Sequence, residues 1–275
     1  MDLAPWPDAP LDPGGKAFLR ARLPLHHAVQ VVAAVGQSLA SRAPDDSQQS
    51  LSVAGLRSWL GAPVAGGRLR AGIDPLDVEV RLCDGNGVPL AGIGLEGRTL
   101  RDGLAFLQDA LARHGERGRL ELPKHPADFP PHPLSDGAVY PEGGAPGRAE
   151  VLRMFHGTQE ILSRVVASRD APTRLWPHHF DVGCQLTLGK LTVWLGASPG
   201  DGADGPPYWY ATMWPWPGPD RMAPLEGGGA WRKEGLSGGS LPLSGLAGDA
   251  AGQEKQVEAF FRSALLAVER VAVEI

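Results

Sequence analysis

A proline-dense stretch in the middle of the chain places the strongest limit on what this sequence can form. Residues 123–146 contain seven prolines, and a proline has no backbone N–H to give to a helix or to a strand ladder. The stretch is therefore predicted to be a linker or a long surface loop. We place a boundary there, which gives an N-terminal half at 1–122, a linker at 123–147 and a C-terminal half at 148–275. One continuous domain is the alternative.

Hydrophobic periodicity predicts an α+β fold on both sides of this stretch. A period of 3.6 residues indicates helices, and a period of two between turn residues indicates strands. The predicted helices are 25–41, 99–114, 148–168 and 256–271, and the predicted strands are 50–55, 76–82, 88–95, 119–122, 180–188, 191–196 and 208–214. Asp84-Gly-Asn-Gly87 joins two of these strands and is a strong hairpin signal. Mainly antiparallel sheets with packed helices are expected.

The order helix, strands, helix occurs twice, and short matches between the two halves predict an internal duplication. His27 and Gln30 on the first helix correspond to His156 and Gln159 on the third, and both pairs lie away from the apolar stripe of their helix. A solvated helix face is the favoured interpretation of these pairs. The alternative is that they line a shared cleft with His179.

Charge and hydropathy exclude several classes of partner. The net charge is -5, and no run of five like charges provides a surface for a nucleic-acid backbone or an anionic membrane. The N-terminus lacks the basic and apolar regions of a signal peptide, and no apolar run is long enough for a membrane span. We therefore predict a cytoplasmic protein that binds neither nucleic acid nor membrane. Cys83 and Cys184 lie in apolar runs, which indicates buried thiols.

Two motif matches fail on their chemistry. Gly92–Gly97 has the glycine spacing of a dinucleotide-binding loop, but it follows a hairpin strand, and Glu96 would place a carboxylate against the pyrophosphate. Gly196–Gly200 imitates a nucleophile elbow, but Pro199 has no N–H for an oxyanion hole, and no histidine follows His179. Neither nucleotide binding nor serine hydrolysis is predicted, and no cofactor is assigned.

Several short motifs follow one another along the chain: Trp6–Pro10, His27 with Gln30, Phe180 with Asp181, Ser198–Gly200 and Pro207–Pro215. Their order resembles that of a bacterial domain-of-unknown-function family, number 5996. The resemblance spans most of the chain. It departs after the helix histidine, where Gln-Val-Val stands in place of the family's Gln-hydrophobic-Val-Gly-Lys. The resemblance implies one continuous architecture and no particular activity.

The stretch Arg174–Asp181 carries the densest group of chemically active side chains. Period two on a strand places His179 and Asp181 on one face, where they could form a hydrogen-bonded dyad or, with His156, hold a divalent metal ion. Six of the eight tryptophans lie between Trp176 and Trp231. Such aromatic side chains wall small-molecule pockets or present surfaces to protein partners.

Three functions follow from these residues. The first is the binding of a small organic ligand in a pocket lined by aromatic, imidazole and carboxylate side chains, which are Trp176, His178, His179, Asp181, Tyr208, Trp209 and Tyr210. The second is an enzyme that uses His179 and Asp181 as an acid/base dyad or as metal ligands. The third is a protein-interaction module that uses the aromatic, proline-rich loop as its surface. No oligomeric state is predicted.

Overall fold

A computed structural model describes residues 10–11, 16–202, 205–232 and 237–274. Residues 6–9 of the motif Trp6–Pro10 lie outside these ranges. The chain divides into two compact units. We call Gly15–Leu152 together with Leu175–Phe180 the N-terminal unit, and Met1–Gly14, Arg153–Arg174 and Asp181–Ile275 the C-terminal unit.

The N-terminal unit contains a five-stranded antiparallel meander with two helices packed on it. Its strands are β1 (Ser52–Gly55), β2 (Ser58–Val64), β3 (Leu69–Asp74), β4 (Glu79–Asp84) and β5 (Pro89–Gly94), and they are neighbours in that order. Helix α1 (Lys16–Leu39) packs on β2 and β3, and α2 (Leu100–Arg113) packs on β4 and β5. The two helices also contact each other.

Local signals explain the best-defined parts of this unit. The β4–β5 turn is closed by the Asp84 carboxylate, which accepts from the backbone N–H groups of Asn86 and Val88, both at 2.9 Å. Helix α2 begins with a capping box, in which Thr99 and Asp102 each accept the other's backbone N–H. The predicted hairpin and the predicted helix at 99–114 are therefore confirmed.

The C-terminal unit is built on a second antiparallel sheet. Its strands are β7 (Asp181–Leu188), β8 (Leu191–Ser198), β9 (Tyr208–Trp214), β10 (Ala230–Trp231) and β11 (Gly238–Pro242). These strands are neighbours in the order β10-β11-β9-β8-β7. A division between the units falls inside the short β6 (Arg174–Trp176), after Arg174. Helix α4 (Ala250–Glu274) packs on β9 and β11, and buries the apolar face that its periodicity predicted, including Val257, Phe260 and Phe261.

Helix α3 (Ala145–Val165) contains the division between the units, which falls between Leu152 and Arg153. Its buried Thr158 and Phe155 belong to the C-terminal unit. The prediction of an α+β fold with antiparallel sheets is confirmed, whereas the internal duplication is not. Both cysteines are free and buried, as predicted.

The structure corrects several predicted elements. Strands β2, β3 and β11 were not predicted, and α1 begins at Lys16 rather than Leu25, with Pro24 inside it. The predicted strand at 119–122 does not form. There the backbone N–H of Leu120 donates to the Gln108 side chain at 2.8 Å and that of Glu121 donates to Ser38 Oγ at 2.9 Å, so side chains replace a strand partner.

The expectation of a solvated face at His27 and Gln30 is wrong. These side chains are only 1% and 2% exposed. Each finds a carbonyl oxygen outside its own helix, at Pro130 for His27 and at Pro177 for Gln30. Hydrogen bonding to these loops removes the penalty for burying them.

Candidate functional site

The predicted site residues divide between the two units. Trp176, His178 and His179 belong to the N-terminal unit, and the other predicted residues belong to the C-terminal unit: Asp181, Tyr208, Trp209, Tyr210 and His156. Two groups of polar side chains result. We call Asp181, Ser198, Asp201, Tyr208 and Tyr210 the tyrosine face, and His26, His27, His125, His132, His178 and His179 the histidine cluster.

The tyrosine face is positioned by the register of three adjacent strands. Gly183 on β7 pairs with Gly196 on β8, and Gly196 pairs with Tyr210 on β9, so all three residues share one face of the sheet. A Cβ atom at Gly196 would lie 2.5 Å from the Tyr210 hydroxyl oxygen, and one at Gly183 would lie 2.9 Å from it. The phenol ring therefore lies across two glycines, because only glycine leaves room for it.

Because the Tyr210 ring lies across these two glycines, its hydroxyl reaches the carboxylate of Asp181. Its hydroxyl donates a hydrogen bond to Asp181 Oδ2. Burial, followed by the negative charge of Asp181, raises the pKa of Tyr210 well above its ordinary value. Tyr210 therefore stays protonated and remains a hydrogen-bond donor to Asp181 at any physiological pH.

The neighbouring phenol makes the same kind of contact. The Tyr208 hydroxyl lies 3.0 Å from each carboxylate oxygen of Asp201, to which it donates. Ser198, paired with Tyr208 across the strands, also donates to Asp201, at 3.4 Å, and its oxygen accepts the Gly200 N–H at 3.1 Å. Burial and then the Asp201 charge raise the pKa of Tyr208. The Tyr208 and Tyr210 rings are 6.3 Å apart between centroids.

Trp209 lies on the opposite face of the same strand and cannot line this site. It is 0% exposed, and its indole N–H donates to Thr158 Oγ1 on α3 at 2.9 Å. Alternation along β9 places it in the core of the C-terminal unit with Ala211 and Met213. Its role is packing.

His156 is half-buried on α3 in the C-terminal unit. Its Nδ1 atom and Gln159 Oε1 are buried and make no hydrogen bond to any residue that the structure describes. Across the described ranges, no group of three or more His, Cys, Asp or Glu side chains is arranged to hold a metal ion. The geometry of the described residues thus gives the metal-ion alternative no support.

The histidine cluster begins on α1, with two buried imidazoles. His26 Nε2 donates to the Pro177 carbonyl oxygen at 2.8 Å, and its ring stacks on Phe180 with centroids 5.1 Å apart. His27 Nε2 donates to the Pro130 carbonyl oxygen at 3.1 Å, which leaves Nδ1 to accept from the Ser135 hydroxyl at 3.2 Å. Burial lowers the pKa of His26 to about 3 and that of His27 to about 4. Both rings are therefore neutral at pH 7.

The remaining imidazoles of the cluster come from two other segments. His132 lies 5.3 Å from His27 between ring centroids, and His125 stacks on Phe129 at 3.7 Å. His178 and His179 are 4.4 Å apart, and His178 meets the Trp176 ring edge-on at 5.9 Å. Burial and then the neighbouring His179 lower the pKa of His178 to about 4. The cluster is thus buried at α1 and half-exposed or exposed at its outer members.

Sequence reasoning found parts of each group and missed others. Asp181, Tyr208 and Tyr210 do lie together, but Ser198 and Asp201 were not proposed as their partners. His125 and His132 were not proposed either, because they lie in the stretch interpreted as a linker. Six of the eight histidines in the chain converge in the cluster. Their concentration in three short segments of the sequence, 26–27, 125–132 and 178–179, could have indicated that these segments meet.

No family model matches the chain, and no curated protein or solved structure matches it either. The resemblance to family 5996 therefore stays a prediction. In the part of the chain that the structure describes, no helix has the length and apolarity needed to cross a membrane. The case for a function accordingly depends on the geometry of the two groups above.

Proposed function

We propose that this protein binds a small organic ligand at the tyrosine face of the C-terminal unit. The observation that supports this most directly is a pair of adjacent phenols on one sheet face, each held by a carboxylate, at Asp181 and Asp201. Tyr210 is further restrained by the two glycines beneath its ring. Side chains restrained before binding lose little conformational entropy when a ligand arrives.

The hydrogen-bonding pattern indicates what kind of ligand fits. The hydroxyls of Tyr208, Tyr210 and Ser198 already donate to carboxylates, so the oxygen lone pairs that remain are acceptors. A ligand must then bring N–H or O–H donors, and its apolar part would lie against the aromatic rings. An amine, an amide or a polyhydroxylated compound meets this requirement, whereas a simple carboxylate does not.

The same face extends along the sheet beyond the two phenols. Thr212 and Trp214 follow Tyr210 at the spacing that keeps them on this side of β9, and Trp194 pairs with Thr212 from β8. Trp194 and Thr212 are half-buried, and Trp214 is 69% exposed. A ligand with an apolar portion therefore has further aromatic surface available next to the acceptor groups.

Two other functions remain predictions. The acid/base dyad of His179 and Asp181 would make the protein an enzyme, and the aromatic loop after β9 would make it an interaction module. Neither is favoured by a specific contact, whereas the phenol–carboxylate pairs favour ligand binding. Trp176, His178 and His179 belong to the other unit, and we leave them out of the proposed site.

A fragment screen by ligand-observed NMR tests the proposal. The affinity of fragments that bind the wild type should fall by about 10- to 100-fold with Tyr210→Phe or Asp181→Asn. The first change removes the acceptor oxygen, and the second removes the charged carboxylate that holds the phenol in place. Tyr140→Phe is the matched control, since Tyr140 is buried in the N-terminal unit. Fragments that bind all variants equally would locate binding elsewhere, and a screen without binders would refute a ligand-binding function.

We also propose a cytoplasmic location, supported by two free, buried thiols in a chain without disulfides among its cysteines. Fractionation of cells that produce the full chain is the check. Recovery of the protein from an oxidising compartment would overturn this proposal without affecting the ligand site.

A further inference from the structure

We propose that the histidine cluster is a pH-operated latch, which holds residues 123–138 on α1 at neutral pH and releases them on acidification. We call residues 123–138 the proline strap. The inference is independent of the ligand site, because every residue that it uses belongs to the N-terminal unit.

The proline strap is fastened to α1 through one neutral imidazole. His27 donates to Pro130 and accepts from Ser135, so both of its ring nitrogens are bonded to the strap. The Phe129 ring packs against both α1 histidines, with centroids 4.5 Å from His26 and 4.9 Å from His27. This arrangement needs a neutral ring at His27, since a protonated Nδ1 could no longer accept from the Ser135 hydroxyl.

The groups around the latch oppose protonation of the α1 imidazoles. The charges that act on His26 are those of His27, His125 and His179, and those that act on His27 come from His132 and His125. Each of these neighbours lowers the pKa of the ring on which it acts. Asp46 and Asp128 are the acidic groups that favour protonation within the cluster, and they act on His178.

Protonation of these imidazoles therefore places positive charges next to one another between α1 and the strap. Burial already lowers the pKa of His27 from 6.5 to about 4, so the closed strap excludes a proton that an open strap would accept. Above pH 6.5 the two states bind equal numbers of protons at this ring and the latch is closed. As pH falls below 6.5, each pH unit favours the open strap by about tenfold for each proton taken up.

The strap is the part of the unit that should open first. It has one short 3₁₀ turn, Pro133–Asp136, and several of its residues are exposed. Segments with few buried contacts open with less free energy than core strands and helices. Release of the strap would uncover His26, His27 and the adjacent Phe180 ring.

Hydrogen–deuterium exchange of the full chain tests this inference. The backbone N–H groups of Ser135, Gly137 and Ala138 are hydrogen-bonded within the strap, and α2 is the internal reference. After correction for the intrinsic exchange rate, strap protection relative to α2 should fall about tenfold between pH 6 and pH 5.

Variants separate the latch from general acid unfolding. His27→Gln keeps a donor for Pro130 but cannot titrate, so strap protection should depend less steeply on pH than in the wild type. His156→Gln is the matched control, because His156 belongs to the C-terminal unit, outside the cluster, and this variant should retain the wild-type pH dependence. If His27→Gln does not fold, His132→Gln removes one repelling charge and should reduce the pH dependence.

Two results would overturn the inference. One is a strap-to-α2 protection ratio that does not change between pH 6.5 and pH 4.5. The other is a folded His27→Gln variant, or its His132→Gln substitute, with the pH dependence of the wild type.

Discussion

Replacing Gly196 by alanine tests the geometry of the tyrosine face directly. The added Cβ would lie 2.5 Å from the Tyr210 hydroxyl oxygen and 2.5 Å from the Val182 carbonyl oxygen. The phenol could swing away, but the carbonyl belongs to the neighbouring strand and cannot move without disturbing the sheet. We expect a loss of about 1–3 kcal/mol, as for other overpacked interior sites. For a chain of this size, each kcal/mol lowers Tm by about 2–4 °C.

A second glycine supplies the matched control. Gly94 also lies in a strand, but a Cβ atom there would meet nothing within 4 Å. Gly94→Ala should therefore be neutral or stabilising by up to about 1 kcal/mol, because alanine has less backbone entropy to lose. Urea denaturation of both variants gives the comparison.

The double variant with Tyr210→Ala separates the two clashes. Removing the phenol should recover about 0.5–1 kcal/mol of the Gly196→Ala loss, which is the coupling expected of residues in contact. The rest of the loss should persist, because it comes from the Val182 carbonyl. The reasoning is refuted if Gly196→Ala and Gly94→Ala have the same stability, or if the Gly196 and Tyr210 changes are simply additive.

Two further predictions concern burial of polar groups. Thr158→Val removes the acceptor of the buried Trp209 indole N–H and should lower the free energy of unfolding by about 1–3 kcal/mol. Thr158→Ser keeps the hydroxyl and should lower it by less. Equal losses of the two variants in urea denaturation would contradict this prediction. Burial lowers the pKa of His26 from 6.5 to about 3, so the folded state binds fewer protons than the unfolded state, and its stability is full above pH 6.5 and declines below. At pH 5 this residue lowers the free energy of unfolding by ~2 kcal/mol. The urea midpoint of His26→Gln should therefore fall less than that of the wild type from pH 7 to pH 5. If the midpoint falls equally in both proteins, His26 is not the source of the pH dependence.

The elements that the sequence predicts well are those with local causes. The β4–β5 hairpin follows from a carboxylate that closes its own turn, and the start of α2 follows from a reciprocal side-chain cap. Helix α4 has an uninterrupted apolar stripe. In each case the residues that determine the element lie within a few positions of it.

The missed elements depend on distant partners. The first helix was predicted to begin at Leu25, yet α1 begins at Lys16 and continues through Pro24, with Phe18 and Ala21 buried on the preceding turns. Strand β11 contains Gly238 and Gly239, which have no side chain to show alternation, and it forms by pairing with β9. Neither the burial of residues before Pro24 nor the pairing of β11 with β9 can be deduced from local propensity.

The candidate sites also combine features with local causes and features that depend on distant residues. Tyr208 and Tyr210 were predicted to lie together and do so, but Trp209 was predicted to line the same pocket and instead lies in the core. The contact between Tyr210 and Asp181 needed the register of three strands, and the burial of His27 needed the position of a loop about a hundred residues away. Neither the register nor the loop position is encoded in a local pattern.

The raised pKa values of the phenols change what an alkaline titration of this protein would report. The chain has three tyrosines, and burial raises the pKa of Tyr140 as it does those of Tyr208 and Tyr210. In the folded protein, no phenol is free to ionise at the pH where exposed tyrosine does. Tyrosinate absorbance should then appear only as the fold opens, so a simple ultraviolet spectrum would serve as an intrinsic indicator of unfolding at high pH.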